Sequence, residues 1–167
     1  MILAAALAVA EHRCARAWQD PEVLDLYRHL VRTGGWWDLV DRTATRLVGP
    51  VLLSRRAEVT PLMDEWALED DLWLRRTAIL SQLKHRAATD RDLLERVVAA
   101  NLEGSRFGSE FFVRKALGWA LREHAKTDPA WVLGILERYA DRVSPLTRRE
   151  ATRHLRGSGA RASGRHP

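Results

Sequence analysis

Trp37 and Asp41 are a pair of residues whose types and spacing could do chemistry. They are four residues apart, so an α-helix would place them side by side, on the shoulder of an apolar stripe. That predicted stripe consists of Trp36, Val40, Thr43 and Leu47. A carboxylate half-buried beside an indole is costly unless it has a partner or a role. The pair therefore indicates either a structural Asp held by a neighbouring Arg, which the residues alone favour, or a functional carboxylate.

Arg76 lies in the middle of the apolar arc predicted for a helix that begins at Leu72, and Arg75 lies nearer its edge. The ordinary explanation is a long side chain that reaches solvent from an apolar face. The alternative is a guanidinium at a groove wall, where it would grip a phosphate or pair with Asp41.

A basic stripe is predicted on a helix that begins near Phe111. Three of its four members follow the first, Lys115, by 4, 7 and 11 residues, which places all four within about 60° of arc on a helix. The stripe holds one aromatic residue and no acid, and it consists of Lys115, Trp119, Arg122 and Lys126. The opposite side of the helix is apolar. A cationic face that contains an indole is typical of a nucleic-acid contact surface.

The net charge of +5 adds little to that case, because it resides in one segment. From Pro145 onward there are six Arg and one Glu, so residues 1–144 hold equal numbers of basic and acidic side chains. The single cysteine, Cys14, excludes an internal disulfide. No His pair has ligand spacing on one helix, and we expect neither a metal nor an organic cofactor.

The apolar opening segment, residues 1–10, resembles a short secretory core but lacks a basic leader and continues at helical spacing to Trp18. No stretch approaches the length of a membrane span. We therefore expect a soluble, cytoplasmic protein.

The elements that must position these residues are predicted to be helices, because helix start and stop signals recur along the chain. N-cap residues precede prolines at Asp20, Thr60, Asp128 and Ser144, and a capping-box variant runs from Thr89 to Asp92. Stop signals occur at Gly34-Gly35, at Gly49-Pro50 and between Gly104 and Gly108. The predicted helices are 3–18, 21–33, 36–48, 51–57, 61–69, 72–86, 90–102, 109–126, 129–142 and 145–155. No segment alternates with period two, so the predicted class is all-α.

Pairs of these helices repeat every 35–45 residues or so, which favours stacked antiparallel pairs in a curved α-solenoid. A globular helical bundle is the alternative. The predicted domain covers residues 1–156, and residues 157–167 form a flexible basic tail.

Several segments in one order resemble the bacterial DNA alkylation-repair glycosylases with HEAT-like repeats. The segments are Trp-Trp-Asp-Leu-Val-Asp at 36–41, Leu-Trp-Leu-Arg-Arg-Thr-Ala-Ile-Leu at 72–80, Phe-Phe-Val-Arg-Lys-Ala-Leu-Gly-Trp-Ala-Leu-Arg-Glu at 111–123, Ala-Lys-Thr-Asp-Pro at 125–129 and Arg-Arg-Glu-Ala at 148–151. Each segment is weakly diagnostic, but the ordered set spans about residues 20–155. Members of that family begin with additional helices, so the resemblance predicts a relative shortened at its N-terminus.

The resemblance implies a curved helical stack whose concave basic face holds duplex DNA. It places Asp41 at the catalytic carboxylate, Trp37 and Trp119 at an aromatic pair, and Arg76 at a phosphate contact. The implied reaction is hydrolysis of the N-glycosidic bond of purines alkylated at N3 or N7, without flipping of the lesion and without a cofactor. The rival hypothesis is a non-catalytic helical scaffold that binds DNA or protein.

Overall fold

The structure is a computed structural model that describes residues 2–12, 19–153 and 155. All regular elements in this part of the chain are helical, which confirms the predicted all-α class. The α-helices are α1 (Ile2–Glu11), α2 (Val23–Gly34), α3 (Trp37–Arg42), α4 (Gly49–Ser54), α5 (Arg56–Trp66), α6 (Leu72–Leu80), α7 (Arg91–Ala100), α8 (Phe111–Ala125), α9 (Pro129–Arg138) and α10 (Pro145–Ala151). A π-helix covers Thr43–Val48 and a 3₁₀ turn covers Arg86–Ala88. The predicted tail, and the end of the first predicted helix, lie outside the described residues.

Three of the predicted helix boundaries are confirmed. The Asp128 carboxylate accepts a hydrogen bond from the Trp131 N–H at 3.0 Å. The Ser144 hydroxyl oxygen accepts one from the Thr147 N–H at 3.0 Å. Gly35 ends α2 with φ +49°, a left-handed conformation that favours glycine. These boundaries follow from local chemistry, which is why the sequence predicts them.

The capping box predicted at Thr89 is displaced by one residue. Asp90 is the N-cap of α7, and its carboxylate accepts from the Leu93 N–H at 3.0 Å. In a capping box the third residue of the helix accepts from the backbone N–H of the N-cap residue. Here the Gln82 side chain, from the preceding turn, accepts that bond from Asp90 at 2.7 Å.

The predictions at Pro21, Pro50 and Pro61 were wrong. Asp20 does not cap α2, because that helix begins at Val23 and has Glu22 as its N-cap. Pro61 lies inside α5, because burial of Val59 and Met63 one turn apart keeps the segment helical around it. Gly49-Pro50 does not stop a helix, since α3, the π-helix and α4 follow one another without a break. The Gly49 N–H bonds to the Ala44 carbonyl, five residues back, in the wider π register. A Cβ on Gly49 would lie 2.6 Å from the Ser81 carbonyl oxygen, so glycine allows the turn after α6 to approach closely.

One buried apolar cluster connects the helices from Leu7 in α1 to Ala151 in α10. Helix α6 is central, contacting α2, α3, α5, α7 and α8. Every residue from Leu74 to Leu80 is buried, including Arg75 and Arg76. A helix buried on all sides cannot let an arginine reach solvent, so both guanidinium groups need partners inside the protein. Among the described residues, no helix combines the length and apolar character that crossing a membrane requires.

Candidate active site and basic surface

Asp41 and Arg76 form a two-point ion pair between α3 and α6. Arg76 Nε donates to Asp41 Oδ1 at 2.7 Å, and Arg76 Nη2 donates to Asp41 Oδ2 at 2.9 Å. The Asp41 side chain is 12% exposed and that of Arg76 is 5% exposed. Both groups are nearly desolvated, and the fork geometry fixes the plane of the carboxylate. The acid is the more accessible member of the pair.

Arg76 also ties α6 to α8. Its Nη1 donates to the carbonyl oxygen of Phe112, and its guanidinium carbon lies 5.9 Å from the centre of the Phe112 ring. All three nitrogens of the guanidinium therefore have acceptors within the protein. Of the two partners considered for Arg76 from the sequence, Asp41 is the one in contact. A phosphate would have to displace these bonds to reach a buried group.

The carboxylate of Asp41 is positioned by its helix as well as by Arg76. The Thr45 hydroxyl donates to the Asp41 backbone carbonyl at 2.7 Å, at the junction between α3 and the π-helix. A π-helical segment beside a charged residue is a frequent feature of functional sites. Each carboxylate oxygen retains a second acceptor position after its bond to Arg76, so Asp41 can still accept from a water or substrate group.

The indoles of α3 and α8 differ in exposure. Trp37 is 42% exposed and Trp36 is 61% exposed, and their ring centres are 6.4 Å apart. Trp36 is the N-cap of α3, so it does not belong to the buried stripe that we expected it to share with Val40. Trp119 is half-buried against the core.

A second aromatic group begins α6 and α8, and the sequence reasoning missed it. Trp73 and Phe112 have ring centres 5.2 Å apart, and the exposed ring of Phe111 is 5.5 Å from that of Phe112. The signal available in the sequence was the Phe-Phe doublet at the start of a predicted helix.

The basic stripe of α8 is not free of acid. Lys115 Nζ and Arg122 Nη1 each lie 2.9 Å from an oxygen of Glu150, which α10 contributes. Lys126 Nζ lies 2.7 Å from Glu123 on its own helix. The cations of the stripe are therefore paired with acids that lie outside it. A carboxylate 28 residues away in sequence cannot be recognised from helical spacing on α8.

Glu150 and its two cationic partners, Lys115 and Arg122, form what we call the Glu150 cluster. The Glu150 side chain is 9% exposed, whereas Lys115 is 40% and Arg122 is 23% exposed. The hydrogen bond from Lys115 lowers the pKa of the Glu150 carboxyl, the two cations lower it further, and burial opposes them. Glu150 is also the contact that brings α10 against α8, because a Cβ on Gly118 would lie 2.5 Å from that of Glu150.

Two buried histidines lie outside this arrangement. Burial lowers the pKa of His124, whose ring packs edge-on against Trp131 at 5.1 Å. Burial also lowers the pKa of His85, whose Nε2 is 2.9 Å from the Gly49 carbonyl oxygen. Neither forms part of a metal-binding group, and the described residues contain no set of three His, Cys, Asp or Glu side chains arranged for a metal ion.

Comparison with known proteins indicates one family. The family model described as DNA alkylation repair enzyme matches residues 1–155. A solved structure described as a predicted DNA alkylation repair enzyme from Enterococcus faecalis is similar, with a TM-score of 0.69 and 30% sequence identity. The match covers 80% of this chain and 59% of that protein, so the chain spans less than two thirds of its structural relative. The comparison with curated proteins gave no match.

Proposed function

The chain belongs to the DNA alkylation repair enzyme family, and from this premise we propose that it is a DNA glycosylase. Its substrates would be cationic purines alkylated at N3 or N7 in duplex DNA, and its reaction the hydrolysis of their N-glycosidic bond. One observation carries the proposal: the Asp41 carboxylate is fixed at two points by Arg76 and yet remains 12% exposed, on the helix that also carries the exposed Trp37.

The chemistry of the substrate explains why one carboxylate would suffice. An alkylated cationic purine is already a good leaving group, so no strong general acid is needed. Its departure leaves positive charge on the deoxyribose, and a nearby carboxylate stabilises that charge while orienting the attacking water. Asp41 has the free acceptor positions for this water. A carboxylate held in place beforehand loses little energy to reorganisation during the reaction.

The aromatic residues would hold the cationic nucleotide. The face of an indole attracts cations and packs against the sugar and the base. Trp37 is exposed and one turn from Asp41 on α3, which suits this role. We assign Trp119 to the same task from the family resemblance. Arg76 is then a positioning residue that acts through Asp41, in place of the phosphate contact that the resemblance implies.

We further propose that the helices form a HEAT-like stack. Side-chain hydrogen bonds recur at a separation near 35 residues, which is the length of one helix pair. Arg76 reaches 35 residues back to Asp41 and 36 residues forward to Phe112. His85 reaches 36 residues back to Gly49. Separations of about one helix pair are expected when each pair packs mainly on its neighbours.

The test is release of 7-methylguanine or 3-methyladenine from methylated duplex DNA by the purified chain. Asp41→Asn should lower the rate at least a hundredfold, as loss of a charge-stabilising group does in other enzymes. Asp38→Asn is the matched control, because Asp38 is an exposed carboxylate on the same helix. It should retain full activity. Equal base release by Asp41→Asn and Asp38→Asn would refute the site.

A non-catalytic DNA-binding scaffold is the second candidate. It is favoured by the Asp41–Arg76 pair itself, since a buried Arg gives Asp41 a structural reason to be present. A scaffold would bind duplex DNA with a steep salt dependence and release no base from the wild-type chain. In that case Asp41→Asn would change stability and leave DNA affinity intact.

A further inference from the structure

We infer that the turn between α6 and α7 binds the phosphate backbone of DNA through Lys84 and Arg86. This inference rests on the proposed DNA substrate and assigns the phosphate contacts to residues outside the basic stripe of α8. Four observations carry it: unpaired charge, position on two grooves, a strained backbone and a rigid support.

Lys84 and Arg86 are exposed cations. Neither side chain makes a hydrogen bond or an ion pair within the described part of the chain. The other cations at the same surface are engaged, Arg46 with Glu11 and Lys126 with Glu123. An unpaired cation gives up no protein contact when a phosphate approaches, and it releases counterions from the DNA.

Lys84 lines two surface grooves, one toward the π-helix and the other toward α8. One groove, of about 550 Å³, is lined by Lys84 together with Thr45 and Arg46. The other, of about 590 Å³, is lined by Lys84, Arg86 and residues of α8 that include Glu123 and Lys126.

Both grooves lie one turn from residues of the proposed site. Thr45 follows Asp41 by four residues and Glu123 follows Trp119 by four, a distance of about 6 Å along a helix. The two free cations therefore lie between the helices that would hold the lesion, where phosphates next to it would pass. Lys126 neutralises Glu123, so the groove between the α6–α7 turn and α8 remains cationic.

Arg86 has φ +53°, in the left-handed region where glycine is the usual residue. An arginine there is strained, and such residues cluster at functional sites because the side chain has a use that outweighs the strain. Glycine at this position would relieve the strain and lose only the side chain.

The turn that holds Arg86 is fixed on both sides. His85 lies 2.9 Å from the carbonyl of Gly49, and the Ala88 carbonyl accepts a hydrogen bond from Arg56 at 2.6 Å. Farther along, Gln82 accepts from and donates to the backbone of Asp90. The cation is thus presented from a rigid backbone, which reduces the ordering cost of a contact.

The experiment measures binding of unmodified duplex DNA across a salt series by the full chain and its variants. We expect Arg86→Gly and Lys84→Gln each to weaken binding several-fold and to reduce the slope of log K against log salt by about 1, the effect of losing one phosphate contact. Arg86→Gly should keep or raise the melting temperature, since the strained φ is relieved. Arg96→Gln is the control, because it removes the same charge from the surface between α5 and α7, where Arg96 pairs with Asp64.

Base release is scored separately, so that the two proposals can fail independently. Weakened DNA binding by Arg86→Gly and Lys84→Gln supports the inference even if the wild-type chain releases no base. If the wild-type chain does release bases and both variants bind DNA as Arg96→Gln does, the inference is overturned and the glycosylase proposal stands. A wild-type chain that does not bind DNA overturns the inference.

Discussion

The Asp41–Arg76 pair and the Glu150 cluster are built from the same kinds of groups but face opposite ways. In the first, the cation is 5% exposed and the carboxylate 12%, so the acid is the outer member. In the second, the carboxylate is 9% exposed and Lys115 is 40% exposed, so the cations are outside. One site therefore offers negative charge to a ligand and the other offers positive charge.

The difference has consequences for energetics as well as chemistry. Removing one member of a nearly buried pair leaves a charge without water or a partner, which is strongly destabilising. Cations that are partly in water lose much less when their acid is removed. Mutation of the Asp41–Arg76 pair should therefore change both the stability of the fold and the proposed catalytic group. Mutation of the Glu150 cluster should change stability much less.

Breaking the buried pair should give the largest effect on stability. We expect Arg76→Met to lower the free energy of unfolding by about 3 kcal/mol, since it leaves the Asp41 carboxylate and the Phe112 carbonyl without a donor. The double variant with Asp41→Leu should recover part of the loss, because an apolar pair of similar size replaces an ion pair at little cost. Urea denaturation of the single and double variants measures the coupling, and strictly additive losses would contradict it.

The contact between α8 and α10 at the Glu150 cluster should respond to one methyl group. Gly118→Ala places a Cβ 2.5 Å from the Glu150 Cβ and 3.0 Å from the Thr147 carbonyl oxygen. We expect a loss of about 2 kcal/mol in unfolding free energy, typical of overpacking. Gly134→Ala in α9 is the control, since its Cβ meets no atom within 4 Å and alanine favours a helix by about 1 kcal/mol. Thermal unfolding should shift in opposite directions for the two variants, and equal shifts would rule out the close approach.

Removing the Glu150 charge should give the smallest effect, with a defined pH dependence. Because its cations are partly exposed, Glu150→Gln should lower the unfolding free energy by about 1 kcal/mol at pH 7. The pKa of Glu150 is lowered from 4.5 in the folded protein, so its contribution is present above pH 4.5 and is lost as the pH falls through the folded value. Denaturation at pH 7 and at steps below pH 4.5 should show the unfolding free energy of the wild type approaching that of Glu150→Gln. A constant difference at all pH values would argue against the ion pairs.

The sequence could identify the members of the buried pair because both are local misfits. Trp37 and Asp41 are four residues apart, and Arg76 occupies an apolar arc, so helical geometry alone marks them. It could also identify the caps at Asp128 and Ser144, which bond to N–H groups three residues away.

The sequence misjudged several features that depend on a distant partner. Glu150 pairs with Arg122, 28 residues earlier, and also with Lys115. Gly49 lies inside a continuous helical segment and allows the Ser81 carbonyl to approach closely. The free charge of Lys84 is likewise visible only once the partners of the other cations are known.

By itself, then, the sequence determined the helical class, the family motifs and the residues that do not fit an apolar face. These follow from bonds and spacings within one or two turns. Only the tertiary structure decided which charges are paired and which face outward, because that depends on neighbours about one helix pair away. The Asp41 carboxylate remains accessible since its arginine lies on the buried central helix, and Lys115 and Arg122 of α8 are paired since α10 supplies an acid.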